Sequence, residues 1–87
     1  MKLKNGGDEP LPIVNAVMMS LRDLKEEYGR PGLLAVRRVA MGSRPDRNTA
    51  RMLADYGMIT AGRMSQTVQN VILSAVTAKG DLISPVA

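Results

Sequence analysis

The sequence predicts an all-α fold, a small bundle of four helices preceded by a flexible N-terminal tail. Apolar residues recur at spacings of three and four, which is typical of helices that bury one face. No sustained run alternates between apolar and polar residues, so no strand is expected. With 87 residues, the chain fits one domain, at 11–87, after a tail at 1–10. The predicted helices span about 11–28, 32–41, 44–56 and 62–79.

The first helix has the clearest apolar stripe. That stripe consists of Ile13, Val17, Leu21, Leu24 and Tyr28, and Val14 and Met18 widen it. Gly29 predicts the end of this helix, and Pro31 lies just beyond it.

The second and third helices carry most of the arginines. Helix 32–41 is apolar around much of its circumference, so Arg37 and Arg38 must reach solvent or a partner. Ser43 is expected to cap helix 44–56, with Asp46 at the capping-box spacing. The inner face of helix 44–56 holds Ala50, Leu53 and Tyr56. Its outer face holds Arg44, Arg47 and Arg51.

The fourth helix is expected to begin after Thr60, which can act as its cap. Its inner stripe consists of Met64, Val68, Val71, Ile72 and Ala75. Met58 and Ile59, in the preceding linker, are expected to pack on the core. Beyond Gly80, the tail could dock there through Leu82, Ile83 and Val86.

The composition argues against an enzyme. The chain has no histidine and no cysteine, which removes the commonest general base and every thiolate ligand. Its carboxylates form no apolar-flanked pair suited to acid–base chemistry, so no catalytic residue, metal or cofactor is expected. No apolar run is long enough to span a membrane and no signal peptide is evident, so a cytoplasmic protein is expected. A core without Phe or Trp predicts a homodimer or a bound partner.

Positive charge is concentrated in the middle of the chain. Residues 30–63 hold seven arginines against Asp46 and Asp55, whereas the segments on either side are nearly balanced. Because the guanidinium fork matches phosphate and carboxylate oxygens, this bias favours an anionic partner. The alternative is a solvated helix face on which Arg51 pairs with Asp55 one turn away.

A helix–turn–helix arrangement fits the last two helices in outline only. Gly57 lies in the turn, and the polar face of the last helix offers candidates for base contacts: Arg63, Gln66, Gln69 and Asn70. However, Arg63 and Gln66 occupy positions that such a motif needs to bury. A plain helical hairpin therefore remains the competing interpretation.

From the sequence we expect a small basic DNA-binding protein that contacts phosphates through an arginine-rich helix pair. We expect it to act as a transcriptional regulator and to form a homodimer. Its candidate site comprises Arg37, Arg38, Arg44, Arg47, Arg51, Arg63, Gln66, Gln69 and Asn70. The alternative is a protein-binding modulator of a repressor, a polymerase or another acidic partner. The seven methionines would then form part of an adaptable contact surface instead of filling gaps in the core.

Overall fold

The computed structural model describes residues 11–84, which fold into three helices. They are α1 (Leu11–Ala40), α2 (Arg47–Asp55) and α3 (Gln66–Ala75), and this part of the chain contains two isolated β-bridges but no strand. The fold is small and all-α, but the prediction of four helices was wrong, because the segments predicted as the first two helices together form α1. The predicted flexible tail, residues 1–10, lies outside the described residues.

A single non-helical residue, Gly29, divides α1 into two arms. Its φ of 69° and ψ of −162° interrupt the helix, which resumes at once without a linker. Gly29 and Pro31 therefore lie at a sharp kink within α1, whereas the sequence predicted that a helix ends there. The corner is tight, since a Cβ on Gly32 would lie 2.5 Å from the Cβ of Tyr28. We call residues 11–28 the N-terminal arm and residues 30–40 the C-terminal arm.

Both arms of α1 contribute to one aliphatic core. On the N-terminal arm the middle of the predicted stripe is buried, together with the flanking Val14 and Met18. The two ends of the stripe, Ile13 and Tyr28, are exposed. Adjacent methionines separate as helix geometry requires, with Met18 buried and Met19 63% exposed. The buried residues are Val14, Val17, Met18, Leu21, Leu24, Leu33, Val36, Ala40, Met52, Leu53, Met58, Val71, Ile72, Ala75 and Val76.

The caps of α2 and α3 differ from the predicted ones. Asp46, rather than Ser43, caps α2, and Ser65, rather than Thr60, caps α3. A proline disfavours helical dihedral angles at the residue before it, so Pro45 keeps Arg44 out of α2. Thr60 instead opens a tight turn that Arg63 closes, with backbone N–H groups donating in both directions over 2.8 and 3.0 Å.

The chain folds back on itself after α3, which is shorter than the predicted helix at 62–79. The N–H of Thr77 donates to the carbonyl of Asp81 over 2.8 Å, and the N–H of Ile83 donates to Ala75 over 2.7 Å. Leu82 is half-buried against the core, as expected of a docking tail, whereas Ile83 is exposed. Val86 lies outside the described residues.

Gly80 allows this fold-back segment to lie against the C-terminal arm of α1. Its φ is +83°, and an added Cβ would lie 3.1 Å from Cγ of Leu34 and 3.2 Å from the carbonyl oxygen of Arg30. Asp81, which follows Gly80, also binds the side chain of Arg30. The Nε and Nη2 atoms of Arg30 lie 3.1 and 2.9 Å from Oδ1 of Asp81. The segment is thus attached to α1 just beyond the kink.

Two tyrosines join the N-terminal arm of α1 to the end of α2. The hydroxyl of Tyr56 donates to Oε2 of Glu27 over 2.6 Å. The rings of Tyr56 and Tyr28 meet edge to face, with their centroids 6.4 Å apart. The hydrogen bond to the Glu27 carboxylate, with desolvation and the negative charge of that carboxylate, raises the pKa of Tyr56 to about 12.

Replacing Gly80 with alanine should destabilise the protein more than the same change at Gly62. Both glycines have positive φ, which costs alanine roughly 1–2 kcal/mol, but a Cβ on Gly62 would meet no atom within 4 Å. Gly80→Ala adds the contacts with Leu34 and Arg30 to that cost. Urea denaturation of both variants measures the difference in the free energy of unfolding, and equal losses would contradict the close packing at Gly80.

The hydroxyl of Tyr56 should titrate late. In the Tyr28→Phe variant, where Tyr56 is the remaining tyrosine, phenolate absorbance should appear with a midpoint near the raised pKa of about 12. Because the pKa of Tyr56 is raised, its hydrogen bond to Glu27 stabilises the folded protein at pH values below the ordinary tyrosine pKa. This stabilisation is lost as the pH rises through the folded-state pKa. Adding Glu27→Gln should return the midpoint toward 10. An unchanged midpoint would contradict the proposed cause.

Candidate nucleic-acid interface

Arg38 and Arg44, one from each of the two predicted groups of arginines, meet between the end of α1 and the start of α2. The end of α1 is closed by two backbone bonds, from Gly42 to the carbonyl of Val39 over 2.9 Å and from Ser43 to that of Arg38 over 3.0 Å. The chain then returns so that Arg44 joins Arg38 at one shallow cavity of about 160 Å³. The lining residues are Ala35, Arg38, Val39, Ser43, Arg44, Pro45, Asp46 and Thr49.

Two further arginines extend this charged region along α2. Arg47 is the first residue of α2, and Arg51 lies one turn later, both exposed. The predicted pair between Arg51 and Asp55 is not formed, since Arg30–Asp81 is the one ion pair within 4.0 Å that joins two residues of 11–84. We call the set Arg38, Arg44, Arg47 and Arg51 the basic surface. Its side chains make no hydrogen bond or ion pair with another described residue.

Arg37 has a structural position instead of joining the basic surface. It is half-buried, and its Nε donates to the backbone carbonyl of Val76 over 3.3 Å. Its Nη1 lies 2.9 Å from Sδ of Met41. Because the carbonyls at a helix C-terminus carry partial negative charge, Arg37 stabilises the end of α3 while fixing the end of α1 beside it.

Asp46 is the one acidic residue at the cavity and is held by the cap of α2. Its Oδ1 accepts a hydrogen bond from the N–H of Thr49 over 2.7 Å. Hydrogen bonds from Thr49 and, to a lesser extent, the charge of Arg38 lower the pKa of this carboxyl group. The cavity therefore contains two guanidinium groups and one carboxylate that is already bound. Thr49 was missed as a site residue, because the cap of α2 was assigned to Ser43 and not to Asp46.

The residues predicted to contact bases lie outside the cavity at the basic surface. Residues 56–65 separate α2 from α3, which is longer than the roughly three- or four-residue turn of a helix–turn–helix motif. Nε2 of Gln66 donates to Oδ1 of Asn70 over 2.9 Å. Nε2 of Gln69 donates to the carbonyl of Met64 over 3.4 Å. Arg63 and Gln69 line a different, larger cavity. In the free protein these amides thus bind their own chain.

Three of the six large apolar side chains that residues 11–84 expose lie near the start of α1. These three are Leu11, Ile13 and Met19, and the others are Tyr28, Met41 and Ile83. Leu11 and Met19 are 56% and 63% exposed, and they border a groove of about 560 Å³. No member of the basic surface lines this groove, which is lined by Leu11, Val14, Asn15, Met18, Met19, Arg22 and Ser84. The groove is thus separate from the basic surface, whereas exposed Met41 lies at the end of α1, three residues after Arg38.

No protein-family model, no curated protein and no solved structure matches this chain. Residues 11–84 contain no group of three or more acidic, histidine or cysteine side chains that could hold a metal ion. In the same part of the chain, none of the helices has both the length and the hydropathy needed to cross a membrane.

The cap formed by Asp46 should make stability depend on pH in the acid range. A lowered pKa contributes stability that is present above the unfolded value, near 3.8, and is lost as the pH falls through the folded-state pKa. The native protein should therefore be more stable than Asp46→Ala at pH 6, and this difference should shrink as the pH falls below about 3.8. Thermal denaturation followed by circular dichroism measures it. A difference independent of pH would contradict the charged cap.

Proposed function

We propose that this protein binds duplex DNA through its basic surface and acts as a small transcriptional regulator. The observation that carries the proposal is the convergence on one cavity of Arg38, from α1, and Arg44, from the linker between α1 and α2. Arg47 and Arg51 add two exposed guanidinium groups on the adjoining helix. None of the four is bound to a carboxylate among residues 11–84.

Phosphates are the partner that suits these side chains best. Arginine presents its donors as a planar fork that can bind two phosphate oxygens at once. Asp46 and Asp55 are the only acids among residues 30–63, and Asp46 is already bound in the cap of α2. A surface of this kind attracts a polyanion over a distance of about a Debye length, and its binding weakens as salt rises.

The proposal concerns contacts with the DNA backbone. Gln66, Gln69 and Asn70 would have to break intramolecular hydrogen bonds before they could contact bases. Contact through phosphates alone gives affinity without direct sequence information. Any preference among sequences would then come from the shape and stiffness of the duplex.

A protein partner is the second candidate, and the apolar groove at the start of α1 favours it. Exposed Leu11 and Met19 border that groove, and an unbranched methionine adapts to varied partners. We rank this function second because the groove shares no residue with the cavity of Arg38 and Arg44. An acidic protein that used both surfaces would have to span them.

The proposed function is tested by the salt dependence of DNA binding. Fluorescence anisotropy with a labelled duplex, repeated from low to moderate salt, gives the slope of log K against log salt concentration. Each phosphate contact contributes about −0.9 to this slope, so Arg44→Gln with Arg47→Gln should make it less negative by about 1.8 and weaken binding at low salt.

Arg22→Gln is the matched control, because Arg22 is exposed on the N-terminal arm and lies outside the basic surface. It should leave the slope almost unchanged. DNA binding that is insensitive to salt would overturn the proposal. So would a loss of affinity in Arg22→Gln equal to that in Arg44→Gln or in Arg47→Gln alone. Capture of a protein partner that survives nuclease treatment would instead support the second candidate.

A further inference from the structure

A cavity lies between the linker that follows α2 and the first turn of α3. Its volume is about 680 Å³, within the range of about 300–1,000 Å³ that small-molecule sites occupy. We call it the linker cavity. It is lined by Gly57, Met58, Thr60, Arg63, Met64, Ser65, Val68 and Gln69.

The linker cavity combines an apolar side with a single cationic group. Met58 is buried, and Met64 and Val68 are half-buried, so together they offer an apolar contact surface. The side chain of Arg63 is exposed and makes no hydrogen bond or ion pair with another residue of 11–84. The hydroxyls of Thr60 and Ser65 add donors, and none of the lining residues is acidic.

Backbone hydrogen bonds hold the linker wall of the cavity in place. On one side, the two bonds between Thr60 and Arg63 close a tight turn whose central residues, Ala61 and Gly62, both have positive φ. The N–H of Met58 donates to the carbonyl of Leu53 over 2.8 Å, which fixes the start of the linker to α2. Arg63 is therefore presented by a defined turn, so binding would require little ordering of the chain.

We propose that the linker cavity binds a small amphipathic organic anion, with a carboxylate on Arg63 and an apolar chain against Met58, Met64 and Val68. One arginine beside hydroxyl donors suits one anionic headgroup, whereas a nucleic-acid backbone presents repeated charges. The two methionines adapt to the shape of the apolar chain, so the headgroup dominates selectivity. This site is separate from the basic surface and does not depend on DNA binding.

Hexanoate is the probe for the linker cavity. Amide chemical shifts of the ¹⁵N-labelled protein, followed during titration, should change in a saturable manner at residues 57–69. Hexylamine and 1-hexanol, which match the chain length but lack the anionic head, should bind at least about tenfold more weakly, since an ionised acceptor strengthens its hydrogen bonds.

Arg63→Gln should weaken hexanoate binding by about tenfold or more, and Arg63→Lys should restore part of the affinity, because it keeps the charge but loses the planar fork. Arg47→Gln is the control, because Arg47 does not line the cavity. The thermal midpoint of each variant shows that it remains folded. Absence of saturable binding, equal binding of hexylamine, an unaffected Arg63→Gln variant, or shifts confined to the groove at Leu11 and Met19 would each overturn the proposal.

Discussion

The structure depends on the bend that Gly29 introduces into α1. A straight helix would extend about 45 Å over its 30 residues, longer than the 37 Å greatest extent of the folded chain. A left-handed φ at one residue redirects the helix, and side chains from both arms, such as Leu24 and Leu33, enter the same core. This matters in a chain without Phe or Trp, where burial must come from many aliphatic side chains. The absent Cβ of Gly32 lets the corner close tightly against Tyr28.

The same bend divides the arginines between two roles. Arg30 and Arg37 follow the corner on the C-terminal arm, and both bind the region where α3 ends, at Asp81 and at the carbonyl of Val76. They hold α1 and the fold-back segment together. Arg38 and Arg44 lie past these anchors and share a cavity at the start of α2. The available positive charge is therefore a consequence of the fold, because packing uses some arginines and leaves others exposed.

Apolar periodicity predicted the helical class, most of the core and the outward position of Arg47 and Arg51 on α2, because these depend on local spacing. Arg44, which was predicted on the same helix face, lies outside α2. The number of helices was not predictable in this way: glycine and proline mark a break, but tertiary packing determines whether a linker follows.

Asp46 and Ser43 are both good caps, and the choice between them depended on the restriction that Pro45 places on Arg44. The end of α3 depended on long-range bonds such as that from Ile83 to Ala75. The internal hydrogen bonds of Gln66 and Gln69 likewise require the folded arrangement.

The most direct test of this account is a map of which arginines contact DNA. In a titration of ¹⁵N-labelled protein with a short duplex at low salt, the Nε–Hε signals of individual arginines can be followed separately. The account predicts large changes for Arg38, Arg44, Arg47 and Arg51, with Arg22 and Arg37 unaffected, and a reversal of the changes as salt is added. Changes centred on Arg22 and the groove of Leu11 and Met19, or no change at any arginine, would contradict it.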